Sequence, residues 1–221
     1  MSKERWDSQH LKYTKAGWIN KPSIFAQSVI GFFPATGKVI DLGCGQGQDS
    51  RFFAEHGYHV TGADFSEEAI RIAQEKNKQS NLDFRVLDLA NPLPFEDEVF
   101  DVVYSHLATH YFDETKTKSL FVELSRVLKK NGVLAILVNS IHDPEYNTGE
   151  KIEEDYLDVG GMRKRFFSAK SLKNFVSEFE ALVLDEKGET YKDRAIGVSN
   201  LVRFIGRKID LAPTSHHMAS Q

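Results

Sequence analysis

The chain has 221 residues, 41% of them hydrophobic, which is enough for one substantial core and fits a single α/β domain with additions. Its formal net charge of -4 supplies no basic field that could hold a nucleic-acid backbone, so no nucleic-acid partner is expected. A single cysteine excludes an internal disulfide, and the charged N-terminus and the absence of a long apolar run predict neither a secretory signal nor a membrane span. We therefore expect a cytoplasmic protein that does not associate with membranes.

Residues 1–36 are predicted to form an N-terminal arm, irregular or partly helical, followed by an amphipathic helix between Pro22 and Pro34 that caps the active site. From residue 38 the pattern alternates between strand and helix. Apolar runs predict five strands, at Val39–Leu42, Tyr58–Ala63, Leu82–Leu87, Val99–Tyr104 and Val133–Val138. Ser66 and Asp113 are expected to cap two of the intervening helices.

Two later apolar runs, Ala181–Leu184 and Leu201–Ile205, predict an antiparallel pair at the sheet edge. Strands that alternate with helices are joined by right-handed crossovers, so the predicted fold class is α/β. We expect a doubly wound, Rossmann-like, mostly parallel seven-stranded sheet with an antiparallel edge hairpin and helices on both faces. This domain is assigned to residues 37–208. Few apolar residues predict a lid loop at 141–161, and composition predicts a tail at 209–221.

Three glycines, Gly43, Gly45 and Gly47, stand at alternate positions between the first strand and a helix. Such a turn presents bare backbone amides to a nucleotide-like ligand. The dinucleotide fingerprint G-x-G-x-x-G also joins a strand to a helix, but here Gln48 stands next to the third glycine, and Asp41 precedes the first by two positions. The spacing therefore departs from the nicotinamide-binding pattern.

Carboxylates also end the next two predicted strands. Asp64 lies about twenty residues after the glycine turn, where a carboxylate can accept two hydrogen bonds from ribose hydroxyls, and we expect it to face solvent when no ligand is bound. Asp88 follows the third strand at the same sheet edge. The alternative is that both are helix caps or turn residues.

In this order, the glycine turn and the carboxylates resemble the motifs of the class I S-adenosylmethionine-dependent methyltransferases, from about Gly37 to Lys208. The similarity is greatest to small-molecule enzymes whose first motif reads D-x-G-C-G-x-G. The resemblance implies S-adenosyl-L-methionine as cofactor and methyl transfer to an O, N or S atom of a small-molecule acceptor, by a monomer or homodimer. One alternative is a non-catalytic S-adenosylmethionine-binding sensor or partner subunit. Another is a nicotinamide-dependent oxidoreductase, which Gln48 and the lack of a second substrate domain disfavour.

The resemblance also implies which residues hold the cofactor. Backbone groups of the glycine turn would approach its methionine part, Asp64 would hold the ribose, and Phe65 would lie against the adenine. Asp88 and the backbone of Leu89 would hold the adenine amine, and the Ser105 carbonyl would accept from the methionine amino group. The predicted cofactor-binding set is Asp41, Gly43, Cys44, Gly45, Gly47, Asp64, Phe65, Asp88, Leu89 and Ser105.

Ligands of open parallel sheets bind outside the carboxyl ends of the strands, so the loops after the fourth and fifth strands should border the methyl acceptor. His106, His110 and Tyr111 are the predicted catalytic residues, since a histidine can accept a proton near neutral pH. A dedicated base is unnecessary if positioning alone accelerates the transfer. Further candidates for the wall or cover of the acceptor site are Tyr13, Trp18, Asn139 and His142, each of which is also an ordinary packing residue.

Other chemistry is less well supported. His106 and His110 are four residues apart, but no H-E-x-x-H or paired-cysteine motif accompanies them, so no metal site is predicted. Cys44 has no basic neighbour in sequence and is interpreted as a small residue that fills the turn rather than as a nucleophile. The run Arg163-Lys164-Arg165 abuts an acidic stretch, which favours a solvated charge cluster; the alternative is an acidic acceptor held by Arg163 or Arg165.

Overall fold

The computed structural model describes residues 3–190 and 199–210, so the predicted tail lies outside the described residues from 211 onward. The α-helices in the described ranges are α1 Lys3–Tyr13, α2 Ile24–Val29, α3 Gln48–Glu55, α4 Glu67–Lys76, α5 Glu114–Val127 and α6 Ala169–Leu172, and short 3-10 helices lie at Ile30–Phe32 and Pro144–Asn147. The strands are β1 Lys38–Leu42, β2 His59–Asp64, β3 Leu82–Val86, β4 Phe100–His106, β5 Leu128–Val138, β6 Glu150–Glu153, β7 Tyr156–Val159, β8 Met162–Arg165, β9 Phe179–Glu189 and β10 Ser199–Lys208. Within these ranges, no helix has the length and apolar composition that crossing a membrane requires.

Seven strands form one sheet in the order β3-β2-β1-β4-β5-β10-β9. The pairs from β3 to β5 are parallel, whereas β10 runs antiparallel to both β5 and β9. This topology confirms the predicted fold class, including the antiparallel edge hairpin. Strand order reverses between β1 and β4, and the carboxyl ends of both strands meet at the edge where α/β proteins bind their ligands.

Helices cover both faces of the sheet. On one face, Val103 of β4 packs with Leu124 of α5 and Leu172 of α6. On the other face, Tyr104 packs with residues of α2 and α3, including Phe53. Successive residues of β4 thus enter opposite cores, which explains its nearly continuous apolar sequence.

The predicted caps of α4 and α5 are confirmed. Ser66 Oγ accepts a hydrogen bond from Ala69 N at 3.0 Å, and Asp113 Oδ1 accepts one from Lys116 N at 2.8 Å. Each cap satisfies an amide that has no partner within its helix. These two helices therefore begin where their sequences indicate.

The prediction of a loop at 141–161 holds for residues 141–149, which form turns and a short 3-10 helix, and is wrong from residue 150 onward. Strands β6, β7 and β8 form a separate three-stranded antiparallel sheet. Asp155 takes a positive φ of 55° between β6 and β7, and Gly160 and Gly161 take φ of 60° and 79° between β7 and β8, as tight turns require. Most side chains of this small sheet are polar, so the alternation that marks a half-buried strand is too weak to detect.

Candidate active site

A cavity of about 1280 Å³ opens at the carboxyl edge of the large sheet. Ligand pockets commonly measure about 300–1,000 Å³, so the cavity has room for a nucleoside cofactor and a second small molecule. We call one part of it the glycine end, lined by Gly43, Gly45, Asp64 and Asp88. The other part, the hairpin end, is lined by Tyr111, Tyr156, Met162 and Arg163.

The glycine turn is held in a conformation that suits glycine. Gly43 and Gly45 have φ of 75° and 54°, and a Cβ on Gly43 would lie 2.1 Å from the Cβ of Ala108. The amides of Gly43 and Cys44 both donate to Ala63 O, at 2.7 and 3.0 Å, which ties the turn to β2. The turn is therefore anchored to β2 on one side, and on the side of the cavity the two glycines present backbone without a side chain.

Asp64 lines the cavity. Its side chain was predicted to face solvent, but in the structure it is buried. It is 7% exposed, and its carboxylate accepts hydrogen bonds from Gly45 N at 3.0 Å and Ser66 N at 2.9 Å. Burial raises the pKa of Asp64, against the opposing effects of His10 and the two amides. The turn's own amide folds onto the carboxylate, and each carboxylate oxygen still has a second lone pair with which to bind a ligand.

The arm supplies a residue that sequence reasoning missed, His10 of α1. Its carbonyl accepts from Gln46 Nε2 at 2.7 Å, and its ring Cε1 lies 3.2 Å from the position a Cβ on Gly45 would take. The ring is buried, and among the described residues its Nδ1 has no hydrogen-bond partner. Burial lowers the pKa of His10, against the field of Asp64.

An unpaired nitrogen above a bare glycine leaves room for a polar ligand group, and this glycine end fits S-adenosylmethionine. The helical spacing of Trp6, His10 and Tyr13 was the signal that could have placed His10 on a regular helix facing the site.

Asp41 belongs to a buried polar layer beneath the glycine turn rather than to its surface. It is 1% exposed and accepts from Ser50 Oγ at 2.6 Å. Burial raises the pKa of Asp41, and the neighbouring carboxylate of Asp49 adds to the effect. Asp49 in turn accepts from Ser23 N, Ser23 Oγ and Tyr104 Oη, at 2.6, 2.8 and 2.7 Å. This layer joins the start of α2 to the start of α3 and so fixes the arm to the glycine turn.

Gly47 and Ser105 also lie beneath the cavity. Gly47 is the N-cap of α3, where a Cβ would be 2.5 Å from Phe84 Cζ. Ser105 is fully buried in the sheet, with its Oγ donating to Leu42 O at 2.9 Å. The predicted cofactor residues on the cavity wall are Gly43, Cys44, Gly45, Asp64, Phe65, Asp88 and Leu89.

The predicted catalytic residues all line the cavity. His106 Nε2 lies 3.3 Å from Thr190 Oγ1, and burial lowers the pKa of His106, so its ring is unprotonated at neutral pH. His110 is 1% exposed, and its ring centroid is 4.3 Å from that of Tyr111. Burial raises the pKa of Tyr111, whose phenol therefore keeps its proton. Of these groups, His106 is suited to accept a proton and Tyr111 to donate a hydrogen bond.

A row of aromatic rings joins the two ends of the cavity. Centroids of neighbouring rings lie 5.1 to 5.9 Å apart along the series Trp18, Tyr13, His10, Trp6, Tyr111. Tyr13, Trp18 and Asn139, predicted as walls or covers, line the cavity. His142 lies outside this lining and pairs with Glu186 at 2.9 Å. The arm thus contributes one aromatic wall along the length of the cavity.

Cys44 also lines the glycine end but is 4% exposed. Burial raises the pKa of its thiol, with nearby Asp41 adding to the effect. A thiol that keeps its proton is a poor nucleophile. Among the described residues, no cluster of three or more His, Cys, Asp or Glu side chains is arranged to hold a metal ion.

Comparison with known proteins agrees with this geometry. A family model described as a methyltransferase domain matches residues 40–136, the segment from β1 to β5 that carries the glycine turn and the ends of β2 and β4. This segment of the chain is thus similar to a methyltransferase domain. An uncharacterized methyltransferase of Synechocystis is 35% identical over 107 residues, which cover 48% of each chain.

Two further proteins are similar to this chain. A malonyl-[acyl-carrier protein] O-methyltransferase of Salmonella typhimurium is 33% identical over 97 residues, 44% of this chain and 37% of that protein. The chain thus spans half or less of the length of these curated relatives. A methyltransferase structure from Methanosarcina mazei shares the fold with a TM-score of 0.69 at 23% identity, covering 82% of this chain and 97% of that one.

Proposed function

We propose that this protein transfers the methyl group of S-adenosylmethionine to an O, N or S atom of a small molecule by in-line displacement. The observation that carries the proposal is a single cavity with two unlike ends. One end has a bare glycine turn beside the Asp64 carboxylate and the unpaired His10 nitrogen, and the other has aromatic walls. His106 is also on the cavity wall.

When bound, S-adenosylmethionine supplies a methyl group attached to a positively charged sulfur, and that sulfur is the leaving group, which keeps the electron pair of the broken carbon–sulfur bond. The chain itself would hold the donor, orient the acceptor and shield both from water. The glycine turn and Asp64 would fix the donor, and the aromatic row would exclude water while it orients the acceptor. If the acceptor atom carries a proton, neutral His106 is the group suited to remove it, and Tyr111 can donate a hydrogen bond to the acceptor.

The test begins with binding and ends with turnover. Calorimetry with S-adenosylmethionine, S-adenosylhomocysteine and NAD should show binding of the first two compounds only. Labelled methyl transfer is then measured with pooled metabolites as acceptors, together with an acyl-carrier-linked acid, because a relative in Salmonella typhimurium is named for that substrate class. Binding of NAD without S-adenosylmethionine would refute the proposal.

A non-catalytic S-adenosylmethionine sensor is the competing function. It predicts cofactor binding with no labelled product from any acceptor pool. The neutral histidine in the shared cavity favours the enzyme, because a protein that only binds the cofactor needs no proton acceptor beside it. A small-molecule acceptor, and the absence of a nucleic-acid partner, stay predictions until the acceptor screen is done.

A further inference from the structure

The basic run Arg163-Lys164-Arg165 of β8 is divided by the fold into three different environments. Arg165 is 4% exposed and serves the small sheet. It forms an ion pair with Glu153, donates to Phe112 O at 3.2 Å, and its guanidinium lies 5.3 Å from the centroid of the Tyr156 ring. Arg165 is therefore a structural residue.

Lys164 is also neutralised. Its Nζ lies 2.5 Å from Glu145 Oε2, and only 14% of the Lys164 side chain is exposed. This pair removes the charge of a carboxylate that lines the same end of the cavity. Arg163 differs from both neighbours, because within residues 3–190 and 199–210 it makes no ion pair or side-chain hydrogen bond. It lines the hairpin end with an exposed guanidinium.

A second guanidinium approaches from the opposite wall. Arg5 of α1 donates from Nη1 to Gly160 O at 3.2 Å, at the turn that precedes Arg163. A backbone carbonyl is neutral, so this contact leaves the charge of Arg5 uncompensated. Two cationic forks, one from the arm and one from β8, thus border the same part of the cavity.

The acidic residues nearby accept hydrogen bonds from backbone amides, which leave their negative charge in place. Asp113 caps α5, and Asp158, which faces Arg163 in the register of β7 and β8, accepts from Gly161 N at 2.6 Å. Among the described residues, the cations Arg5, Lys116, Arg163 and Lys164 still outnumber the carboxylates there, which are Asp113, Glu145 and Asp158. The hairpin end therefore carries an excess of positive charge beside aromatic side chains. A guanidinium presents parallel N–H donors that match a carboxylate or phosphate.

We propose that the methyl acceptor carries an anionic group, a carboxylate or a phosphate, which Arg163 binds at the hairpin end while the planar part of the acceptor lies against Tyr111 and Tyr156. This inference rests on the proposed methyl transfer, since it identifies the molecule that shares the cavity with the cofactor. Arg163 binds the anion and takes no part in the bond changes.

Three probes that share a phenyl ring test the assignment by calorimetry on protein saturated with S-adenosylhomocysteine: benzoate, phenyl phosphate and uncharged benzamide, which is the planar neutral counterpart of benzoate. We expect at least one anion to bind more tightly than benzamide by about tenfold or more, the difference that a charge-assisted hydrogen bond provides. Whichever anion binds identifies the group as carboxylate or phosphate. Arg163→Gln should remove the preference, and Arg163→Lys should keep part of it because the charge remains while the fork is lost.

Lys151→Gln is the matched control, because Lys151 lies in the same small sheet, is 62% exposed at its side chain and pairs with Glu154 outside the cavity lining. It should leave the preference unchanged. Equal binding of benzamide and both anions, failure of both anions to bind, or an unchanged preference in Arg163→Gln would each overturn the inference. Failure of S-adenosylhomocysteine to bind the unmodified protein would instead refute the proposed function, so the two failures are distinguishable.

Discussion

The two ends of the cavity are built in different ways. At the glycine end, Gly43, Gly45 and Asp64 come from neighbouring strands and are tied together by backbone amides. At the hairpin end, the wall combines the arm, the loop after β4 and the small sheet, which are far apart in the chain. They meet through side-chain contacts and through one backbone hydrogen bond, from Arg165 N to His110 O at 2.7 Å. Donor binding can thus be encoded in a short local motif, whereas acceptor binding depends on how distant segments pack.

The largest expected effect tests whether the glycine end depends on its backbone. Gly43→Ala places a methyl group 2.1 Å from the Ala108 Cβ, so the turn or the β4 loop must move, and we expect S-adenosylhomocysteine binding to become undetectable by calorimetry. Gly57→Ala is the control, because Gly57 has φ of 90° but no atom within 4 Å of the added carbon. Both variants carry about 1–2 kcal/mol of left-handed backbone strain.

The control separates strain from displacement. Gly57→Ala should lower the melting temperature while cofactor affinity stays near that of the unmodified protein. If both variants lose affinity for S-adenosylhomocysteine equally, the space above Gly43 does not define the glycine end. Donor binding would then not depend on this local backbone motif.

The second prediction concerns the chemistry between the ends. His106→Ala should reduce kcat by about 100-fold or more if His106 removes a proton, with little change in cofactor affinity. Burial lowers the pKa of His106, and a base must be unprotonated to act, so the acid limb of the pH–rate profile should lie below 6.5.

His142→Ala serves as the matched histidine variant, because His142 is half exposed and paired with Glu186 outside the cavity. Its turnover should be nearly unchanged. A kcat that is the same in His106→Ala as in the unmodified protein would show that orientation alone drives the transfer and would remove His106 from the mechanism.

A smaller effect is expected where the arm meets the glycine turn. His10→Ala removes the unpaired Nδ1 beside Gly45 and should weaken S-adenosylhomocysteine binding about tenfold, as loss of one well-placed hydrogen bond does. Leu11→Ala, on the same helix but 54% exposed, should have no effect on affinity. If the two variants bind equally well, the arm covers the cavity without contacting the donor.

The last prediction concerns stability rather than ligand binding, and it appears only as a pH dependence. Burial raises the pKa of Asp41 above its ordinary 3.8, so the folded protein keeps a proton that the unfolded chain has released. Stability must therefore fall as pH rises from 3.8 toward the folded pKa, by up to about 1.4 kcal/mol per pH unit.

Asp41→Asn cannot ionise and should lack this decline. Denaturant unfolding of both proteins at several pH values between 4 and 8 measures the two slopes, and comparing slopes cancels any constant packing difference. Parallel slopes would show that Asp41 is ionised in the folded protein and that the layer beneath the turn is not proton-dependent.

The sequence predicts the large sheet well because its signals are local. Strand β4 is apolar because both faces are buried, and Ser66 and Asp113 have the side chains that cap helices. The burial of Asp64 was not predictable, since it depends on the Gly45 amide turning onto the carboxylate. Strands β6 to β8 were not predicted from the sequence because they bury few apolar side chains.

On the acceptor side of the site, too, features that depend on the packing of distant segments could not be predicted from the sequence. His106 and Tyr111 could be predicted from their place after a parallel strand, but their protonation follows from burial that other segments provide. Arg163 and Arg165 look alike in sequence, and only the cross-strand partners in the folded sheet separate a structural cation from one that lines a cavity.

The direction of β10 determines how the protein can be labelled. Because β10 runs against β5, it ends at the edge of the sheet opposite the cavity, where Lys208 Nζ donates to Leu128 O at 2.8 Å. Helix α1, by contrast, begins at Lys3 beside the cavity mouth. A fluorophore attached at the end of β10, near Lys208, would therefore lie at the edge opposite the cavity, whereas one attached at the start of α1 would lie beside the cavity lining.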